Sequence, residues 1–169
     1  MQSELLTIAF VKEIKRRIFE ECFPRMKKCL AELSTEQIWY RPNKASNSVG
    51  NLVLHLHGNI RQWVIAGLGE NDDIRERQKE FDEKGPISTE KMQKDMETLL
   101  QEVEQVLNNT TPEALLKIRN VQGYQESGLS ILIHVTEHFS YHVGQITYIV
   151  KMLKNMDMAY YAGHDLNTK

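Results

Sequence analysis

The chain has 169 residues, of which 41% are hydrophobic and 26% are charged, and this composition is typical of one ordinary globular domain. Its 21 Lys plus Arg and 23 Asp plus Glu give a formal net charge of −2. Because no basic block is present, we expect no nucleic-acid partner. No run approaches the roughly 18 apolar residues of a membrane span, and residues 1–10 lack a secretory core. We therefore predict a single domain over 1–169, a cytoplasmic location and no membrane partner.

The two cysteines are predicted to be reduced thiols. Cys22 and Cys29 lie about two helical turns apart on what reads as one continuous helix. Their Cα atoms would then be roughly 10 Å apart, which is too far for a disulfide. A redox or metal role is the alternative interpretation.

Apolar residues recur at helical spacing in four long stretches. The predicted helices cover about 3–33, 49–67, 88–107 and 127–155. Pro24 is expected to bend the first helix, because proline disrupts helical hydrogen bonding. Asn47 or Ser48 is expected to cap the second helix and Gly67 to end it.

The segments between these helices are predicted to be loops and turns. Residues 34–47 favour a loop with one helical turn. The charged segment 68–86 is predicted to be a long ordered loop, because Ile74 and Phe81 give it apolar groups to bury. A short turn starts at Thr111, and residues 118–124 look extended. Since no convincing pair of strands is present, the fold class is all-α, a helical bundle.

The strongest chemical signal is a pair of histidines on the last helix. His138 and His142 are four residues apart, so both imidazoles lie on one face and can bind one metal ion. Neutral imidazole is a good ligand for zinc, nickel, copper or iron. Helical phase places His142 within the apolar stripe and His138 at its edge, so a hydrogen-bonded core histidine and a polar edge residue are the alternative.

A third ligand must come from another element, and the second helix offers His55 and His57. Residues two apart point in nearly opposite directions on a helix, so only one of them can reach the same ion. His57 borders the apolar stripe of this helix more closely than His55 does. Periodicity alone therefore favours His57.

Three motifs, in this order along the chain, resemble the DinB-like (YfiT-like) superfamily of metalloenzymes, and more narrowly one of its branches of unknown function. The first is the run 47–63, which contains Asn-Ser-Val-Gly-Asn-Leu and His-Leu-His-Gly-Asn-Ile-Arg-Gln-Trp. The second is the loop 73–81, and the third is the run 138–146, His-Phe-Ser-Tyr-His-Val-Gly-Gln-Ile. The resemblance spans nearly the whole chain.

This resemblance implies an antiparallel four-helix bundle with up-down-down-up order, commonly dimeric, that binds a divalent metal through three histidines. Carried onto this sequence, the metal ligands are His55, His138 and His142, whereas His57 and His134 match no ligand position. The second helix must then expose more than one face to protein. Zinc, nickel and iron are not distinguished. Three histidine ligands leave a coordination position free, as in catalytic sites.

Several polar residues are candidates for holding these ligands or lining a pocket. Asn59 lies one turn beyond His55 and is a candidate for orienting it or touching a ligand, the alternative being a buried structural amide. Gln145 follows His142 by one turn and is a candidate pocket residue or a packing amide. The hydroxyl of Tyr141 is a further candidate, although a core or interface aromatic is the more frequent outcome.

Two arginines in the charged loop have alternative roles. Arg75 and Arg77, together with Glu80, are candidates for binding an anionic substrate beside the metal. We favour the alternative that they form ion pairs that pin the loop to the bundle.

Characterised members of the superfamily transfer or isomerise substrates with a low-molecular-weight thiol. The resemblance therefore implies a thiol-dependent transferase first and a metal-activated hydrolase second, acting on a small-molecule substrate. The sequence contains no phosphate-binding loop, serine elbow or zinc-finger cysteine cluster, so the metal must carry the chemistry. A non-catalytic helical homodimer that binds metal or a small ligand is the alternative, because no obvious acid or base adjoins the histidines.

Overall fold

The computed structural model describes residues 1–168 and is mostly helical. Lys169, the last residue of the predicted domain 1–169, lies outside the described residues. The helices are α1 Gln2–Lys15, α2 Phe23–Ala31, α3 Thr35–Trp39, α4 Val49–Ile60, α5 Arg77–Asp82, α6 Thr89–Asn108, α7 Pro112–Leu116 and α8 Gly128–Lys154. The π-helical segments Arg16–Cys22 and Arg61–Leu68 join α1 to α2 and extend α4, respectively. The strands are β1 Ile118–Val121 and β2 Tyr124–Ser127.

Serine side chains begin the helices α4, α6 and α8. Ser48 Oγ accepts a hydrogen bond from the Asn51 backbone N–H at 3.2 Å, and the Asn51 side chain accepts one from the Ser48 backbone N–H. Ser88 and Ser127 cap α6 and α8 in the same way. Each cap satisfies an amide group that has no partner within the helix. The predicted starts of these long helices are therefore confirmed, with Ser48 as the cap of α4.

The first long helix is irregular before Pro24 rather than bent at it. It widens into π-helix over Arg16–Cys22, and α2 then begins with Pro24 in its first turn. A proline is tolerated in a first turn because its missing N–H would have no helical partner there. The irregularity expected at Pro24 is thus a π-helical segment that precedes it.

The end of the second helix and the extended segment after α7 differ from the predictions. The helix continues past Gly67 to Leu68, and a Cβ at Gly67 would lie 2.7 Å from Val121 Cγ2. Gly67 therefore permits close packing of the hairpin rather than ending the helix. β1 and β2 pair antiparallel around Gln122 and Gly123, both with positive φ. The all-α prediction overlooked this small sheet. Val121 is the buried apolar residue of its two strands, so they show no alternation of buried apolar and exposed polar residues.

Helix α4 is covered on several sides. It packs against α8, α6 and the short helix α5. Its buried residues therefore include the polar Asn51, His55 and Asn59 as well as apolar residues such as Leu56. The buried part of α4 is wider than one apolar stripe, which is the feature that places a polar site inside the fold.

Polar contacts hold the loop 68–86 against α4. Asn51 Nδ2 donates to the backbone carbonyls of Glu80 and Glu83 at 2.9 Å each. The segment is ordered as predicted, but Arg77–Asp82 form the helix α5 rather than a loop, and Ile74, which we expected to be buried, is 75% exposed. Among the charged side chains of this segment, those of Arg75 and Glu80 are buried, at 3% and 10% exposure.

Cys22 and Cys29 are both buried and form no disulfide, as predicted. Cys29 Sγ lies 3.1 Å from the hydroxyl of Tyr160, which attaches the carboxyl-terminal segment to α2. Within residues 1–168, none of the helices has the combination of length and apolar character needed to cross a bilayer.

Candidate metal centre

Three imidazoles from α4 and α8 meet at one point. His138 Nε2 lies 3.1 Å from His55 Nε2 and 3.2 Å from His142 Nε2. One nitrogen from each ring lies within 4.8 Å of the other two. The structure therefore brings together the three residues that the family resemblance pointed to.

The position of His57 corrects the interpretation drawn from periodicity. His57 is not part of the histidine cluster and lines a separate cavity with Leu54 and Ile87. Burial lowers the pKa of His57, and the nearby guanidinium of Arg61 lowers it further. His55 lies inside the fold, at 7% exposure, because α5 and α8 both pack on α4.

Glu80 fixes the ring of His55 from behind. Glu80 Oε2 lies 2.9 Å from His55 Nδ1, and the same carboxylate accepts hydrogen bonds from Arg75 Nε and Nη2 at 2.7 and 2.8 Å. An ionised carboxylate can only accept, so His55 Nδ1 donates its proton to Glu80. His55 Nε2 then directs its lone pair toward His138 and His142, as in carboxylate–histidine–metal arrangements.

The charge of Glu80 is stabilised although the residue lies inside the protein. Burial raises the pKa of its carboxyl, but hydrogen bonds from Arg75 and His55 outweigh burial and hold the pKa below its ordinary value. Sequence reasoning treated Glu80 only as a companion of the arginines. The spacing of Glu80 from Arg75 in the sequence could have indicated their ion pair, but nothing in the sequence indicated the contact of Glu80 with His55.

Arg75 and Arg77 have different surroundings. Arg75 pins the loop through Glu80 and also donates from Nη1 to Gln62 Oε1 at 2.8 Å. The guanidinium of Arg77 instead lies over the Phe81 ring, 4.8 Å from its centroid. Arg75 therefore has the ion-pair role that we favoured, whereas Arg77 is exposed and forms no ion pair within residues 1–168. The two guanidinium groups have different partners, so the structure offers no support for an anion site formed by both.

Gln145 orients the ring of His142 through a hydrogen bond to Nδ1, as Glu80 orients the ring of His55. Gln145 Oε1 accepts a hydrogen bond from His142 Nδ1 at 2.7 Å, so His142 Nε2 is left facing the cluster. The ring of Tyr141 lies edge-on to His142 with centroids 5.0 Å apart, and Tyr141 is 62% exposed. Gln145 and Tyr141 therefore both contact the cluster on its exposed side.

Asn59 contacts a fourth histidine rather than His55. Its Nδ2 lies 3.4 Å from Nε2 of His134, whose ring stacks on Trp63 at 3.8 Å and lies 5.4 Å from the ring of His138. Asn59 Oδ1 and His138 Nδ1 are buried atoms without a hydrogen-bond partner among residues 1–168. Nδ1 of His138 thus has no hydrogen-bond partner among these residues, whereas Nδ1 of His55 and Nδ1 of His142 each have one.

The imidazoles of α8 are held in their neutral form. Burial, followed by repulsion from His142 and His55, lowers the pKa of His138 to about 3. Burial also lowers the pKa of His142, although the hydrogen bond to Gln145 opposes this shift. With the Nδ1 protons of His55 and His142 directed outward, at most one proton can lie among the three facing Nε2 atoms. This donor set fits a divalent cation.

Alanine at Gly58 is expected to destabilise the protein. A Cβ there would overlap Glu80 Oε1 and approach Arg75 Nε to 3.0 Å. We expect Gly58→Ala to lower the free energy of unfolding by about 1–3 kcal/mol and to weaken metal binding, since it displaces the pair behind His55. Urea denaturation of metal-free protein measures the first effect.

The matched control for this prediction is Gly144→Ala on α8, because a Cβ there meets nothing within 4 Å. Helix propensity alone predicts that both substitutions stabilise by about 1 kcal/mol. Stabilisation by Gly58→Ala would contradict the close contact with Glu80.

Comparisons with known proteins agree with this fold. The family model described as "Protein of unknown function (DUF1572)" matches residues 6–162. The structure is similar to the crystal structure of a DinB-like protein from Bacillus cereus ATCC 10987, with a TM-score of 0.62, 18% identity, and coverage of 80% of this chain and 88% of that chain. No curated protein matches the chain. The fold is thus similar to that of a DinB-like protein, as the resemblance implied, and the chain belongs to the DUF1572 family of proteins of unknown function.

Proposed function

We propose that this protein is a divalent-metal-dependent enzyme in which His55, His138 and His142 bind the cation, and that it acts as a thiol-dependent transferase. The observation that carries the proposal is the convergence of three Nε2 atoms. Two of the rings, those of His55 and His142, are oriented by hydrogen bonds from Nδ1 to Glu80 and Gln145, respectively. Zinc, nickel and iron all accept imidazole ligands. Structural zinc sites use four protein ligands, whereas three leave a position for a substrate.

A divalent cation at this point would supply Lewis-acid chemistry toward a thiol or a carbonyl oxygen. The chain's own residues would keep the three imidazoles neutral and oriented. The Phe81 ring packs against His55 with centroids 4.9 Å apart and covers one side of it. Tyr141 lies beside His142 and is 62% exposed, so we expect a small molecule to approach the cluster from this side.

The surroundings of the cluster favour a thiol over water as the reacting group. The carboxylate that contacts the histidines, Glu80, is already tied to Arg75 and has no free capacity as a base. A thiol has a pKa of about 8.5 even without metal, whereas water depends wholly on the cation to bring its pKa from about 15.7 toward 7. Metal-activated hydrolysis is therefore the second candidate activity.

A non-catalytic protein that binds metal or a small ligand is the third candidate. The engagement of Glu80 with Arg75 also favours this candidate, because catalysis is normally assisted by an acid or base within hydrogen-bond reach of the substrate and Glu80 is not free for that role. Glu80 is held in an ion pair on the far side of His55, where it orients the ring.

The proposal extends to the assembly and location of the protein. We propose one domain over 1–169 whose long helices form a bundle with up-down-down-up order, and a cytoplasmic homodimer. Two buried thiols without a disulfide are usual in a reducing compartment. The exposed side chains of Leu5, Leu6 and Ile8 on α1 offer apolar area for a second copy. Light scattering tests the dimer, which has twice the chain mass of 19.7 kDa.

Metal analysis followed by an activity screen tests the proposed function. We expect stoichiometric divalent metal in purified protein and conjugation of glutathione or cysteine to 1-chloro-2,4-dinitrobenzene that is lost on chelation and restored by metal. Hydrolysis of 4-nitrophenyl acetate is measured in parallel. His57→Ala is the control, because His57 lies outside the cluster. Stoichiometric metal without either turnover would favour the non-catalytic candidate, and absence of metal binding would refute both enzymatic candidates.

A further inference from the structure

An open cavity of about 600 Å³ lies on the far side of the two residues that contact His142, although none of the three cluster histidines lines it. It is lined by residues 45–47 of the loop before α4, by Leu52, and by the α8 residues Tyr141, Gly144, Gln145, Tyr148 and Ile149. Two of these residues, Tyr141 and Gln145, are the same ones that contact His142. The cavity volume lies within the range of roughly 300–1,000 Å³ found for small-molecule sites.

Packing within the chain does not explain the glycine in this cavity. Gly144 lies in the interior of a 27-residue helix, where glycine costs roughly 1 kcal/mol relative to alanine. A Cβ at Gly144 would meet nothing within 4 Å, whereas a Cβ at Gly50, Gly58 or Gly67 would collide with a neighbouring side chain. Glycine is a common residue where a ligand approaches the backbone closely. The open space above Gly144 therefore suits an external molecule.

The cavity lining restricts the chemistry of that molecule. Leu52 and Ile149 are apolar, and Tyr141 and Tyr148 present aromatic rings at 62% and 71% exposure. Because Gln145 Oε1 accepts from His142, the amide nitrogen of Gln145 remains available as a donor. No lining residue carries a formal charge, so a charged group would find no ion-pair partner. An uncharged ring with a polar substituent fits this lining.

We propose that this cavity binds the uncharged, ring-containing part of the substrate beside the histidine cluster, and that Gly144 sets the size of ligand it accepts. This inference deepens the proposed function, on which it rests for the identification of the ligand as a substrate. The electrophile of the transferase reaction is then a neutral aromatic compound. The arginines of the loop 68–86 play no part in its binding.

A charge series of matched ligands tests the inference. The ligands 4-fluorobenzamide, 4-fluorobenzoate and 4-fluorobenzylamine share one ring and differ in charge. Fluorine NMR reports their binding to metal-free protein, in which no cation can coordinate the carboxylate or the amine. We expect 4-fluorobenzamide to bind at least about tenfold more tightly than either charged ligand. Equal affinities for the three, or no binding of 4-fluorobenzamide up to millimolar concentration, would overturn the inference.

The substitution Gly144→Leu tests whether Gly144 sets the size of the ligand that the cavity accepts. We expect Gly144→Leu to weaken 4-fluorobenzamide binding by about tenfold or more, with unchanged zinc stoichiometry and an unchanged fold, since leucine is the better helix former. Lys151→Leu is the control, because it adds the same side chain to an exposed position of α8 outside the lining. Unchanged binding to Gly144→Leu would contradict the assignment. A changed molar mass without a change in ligand binding would assign this face to a second copy instead.

Measuring zinc uptake by the same protein separates the two proposals. Binding of 4-fluorobenzamide to a chain that takes up no zinc would leave the cavity assignment standing and refute the metal-dependent function. Zinc uptake without binding of 4-fluorobenzamide would refute the cavity assignment and leave the metal-dependent function standing.

Discussion

Glu80→Ala is expected to weaken divalent-metal binding by roughly 10- to 100-fold and to lower the free energy of unfolding of the metal-free protein by about 3 kcal/mol. Glu80 accepts the Nδ1 proton of His55 and two hydrogen bonds from Arg75, whose side chain is 3% exposed. Removing the carboxylate leaves a buried guanidinium without its partner and lets the His55 ring turn. Calorimetric titration with zinc measures the affinity, and urea denaturation measures the stability.

Two control variants separate the orienting role of Glu80 from its charge. Glu80→Gln keeps an oxygen that accepts from His55 Nδ1 but removes the charge that balances Arg75, so stability should fall more than metal affinity. Glu76→Ala removes a carboxylate of the same loop whose partner, Lys79, is exposed, and it should change neither quantity measurably. Wild-type zinc affinity in Glu80→Ala would show that Glu80 does not orient the ligand.

His142→Ala is expected to abolish metal retention and the thermal stabilisation that metal provides. At a free metal concentration about 1,000-fold above Kd, binding stabilises a folded protein by about 4 kcal/mol. For a chain of this size that corresponds to a rise in Tm of roughly 8–16 °C. We expect a chelator to lower the Tm of the wild-type protein by this amount and to leave the Tm of His142→Ala unchanged.

The metal-free proteins provide the control for this prediction. His142 and His138 are held neutral largely by burial, so their rings contribute little charge stabilisation without metal. The Tm of metal-free His142→Ala should therefore lie close to that of the metal-free wild type. His57→Ala should keep the full response to chelator. Equal Tm values for the wild-type protein with and without chelator would contradict the prediction.

The last helix shows what could be predicted from sequence alone. The start of α8 at Ser127 and the common face of His138 and His142 depend on contacts between residues three or four positions apart. Such local relations are visible in the sequence. The partner on α4 was not visible in the same way, because the burial of His55 depends on α5, which lies about 25 residues further along the chain.

The contacts that complete the site were hidden for a related reason. Hydrophobic patterns indicated Ile74 and Phe81 as the buried residues of the charged loop, yet Arg75 and Glu80 are the side chains inside the protein. Charged residues are rarely buried unless they are paired, and a sequence does not show the pairing. The hairpin of β1 and β2 was missed for the opposite reason, since its strands are mostly exposed and give little apolar alternation.

Crystals of the zinc-loaded protein, with anomalous diffraction measured at the zinc edge, test the central claim most directly. We expect one anomalous peak about 2.0–2.1 Å from Nε2 of each of His55, His138 and His142, with Glu80 and Gln145 still bonded to the opposite ring nitrogens. A stoichiometric zinc ion bound elsewhere, or one that contacts the α8 histidines without His55, would contradict the account.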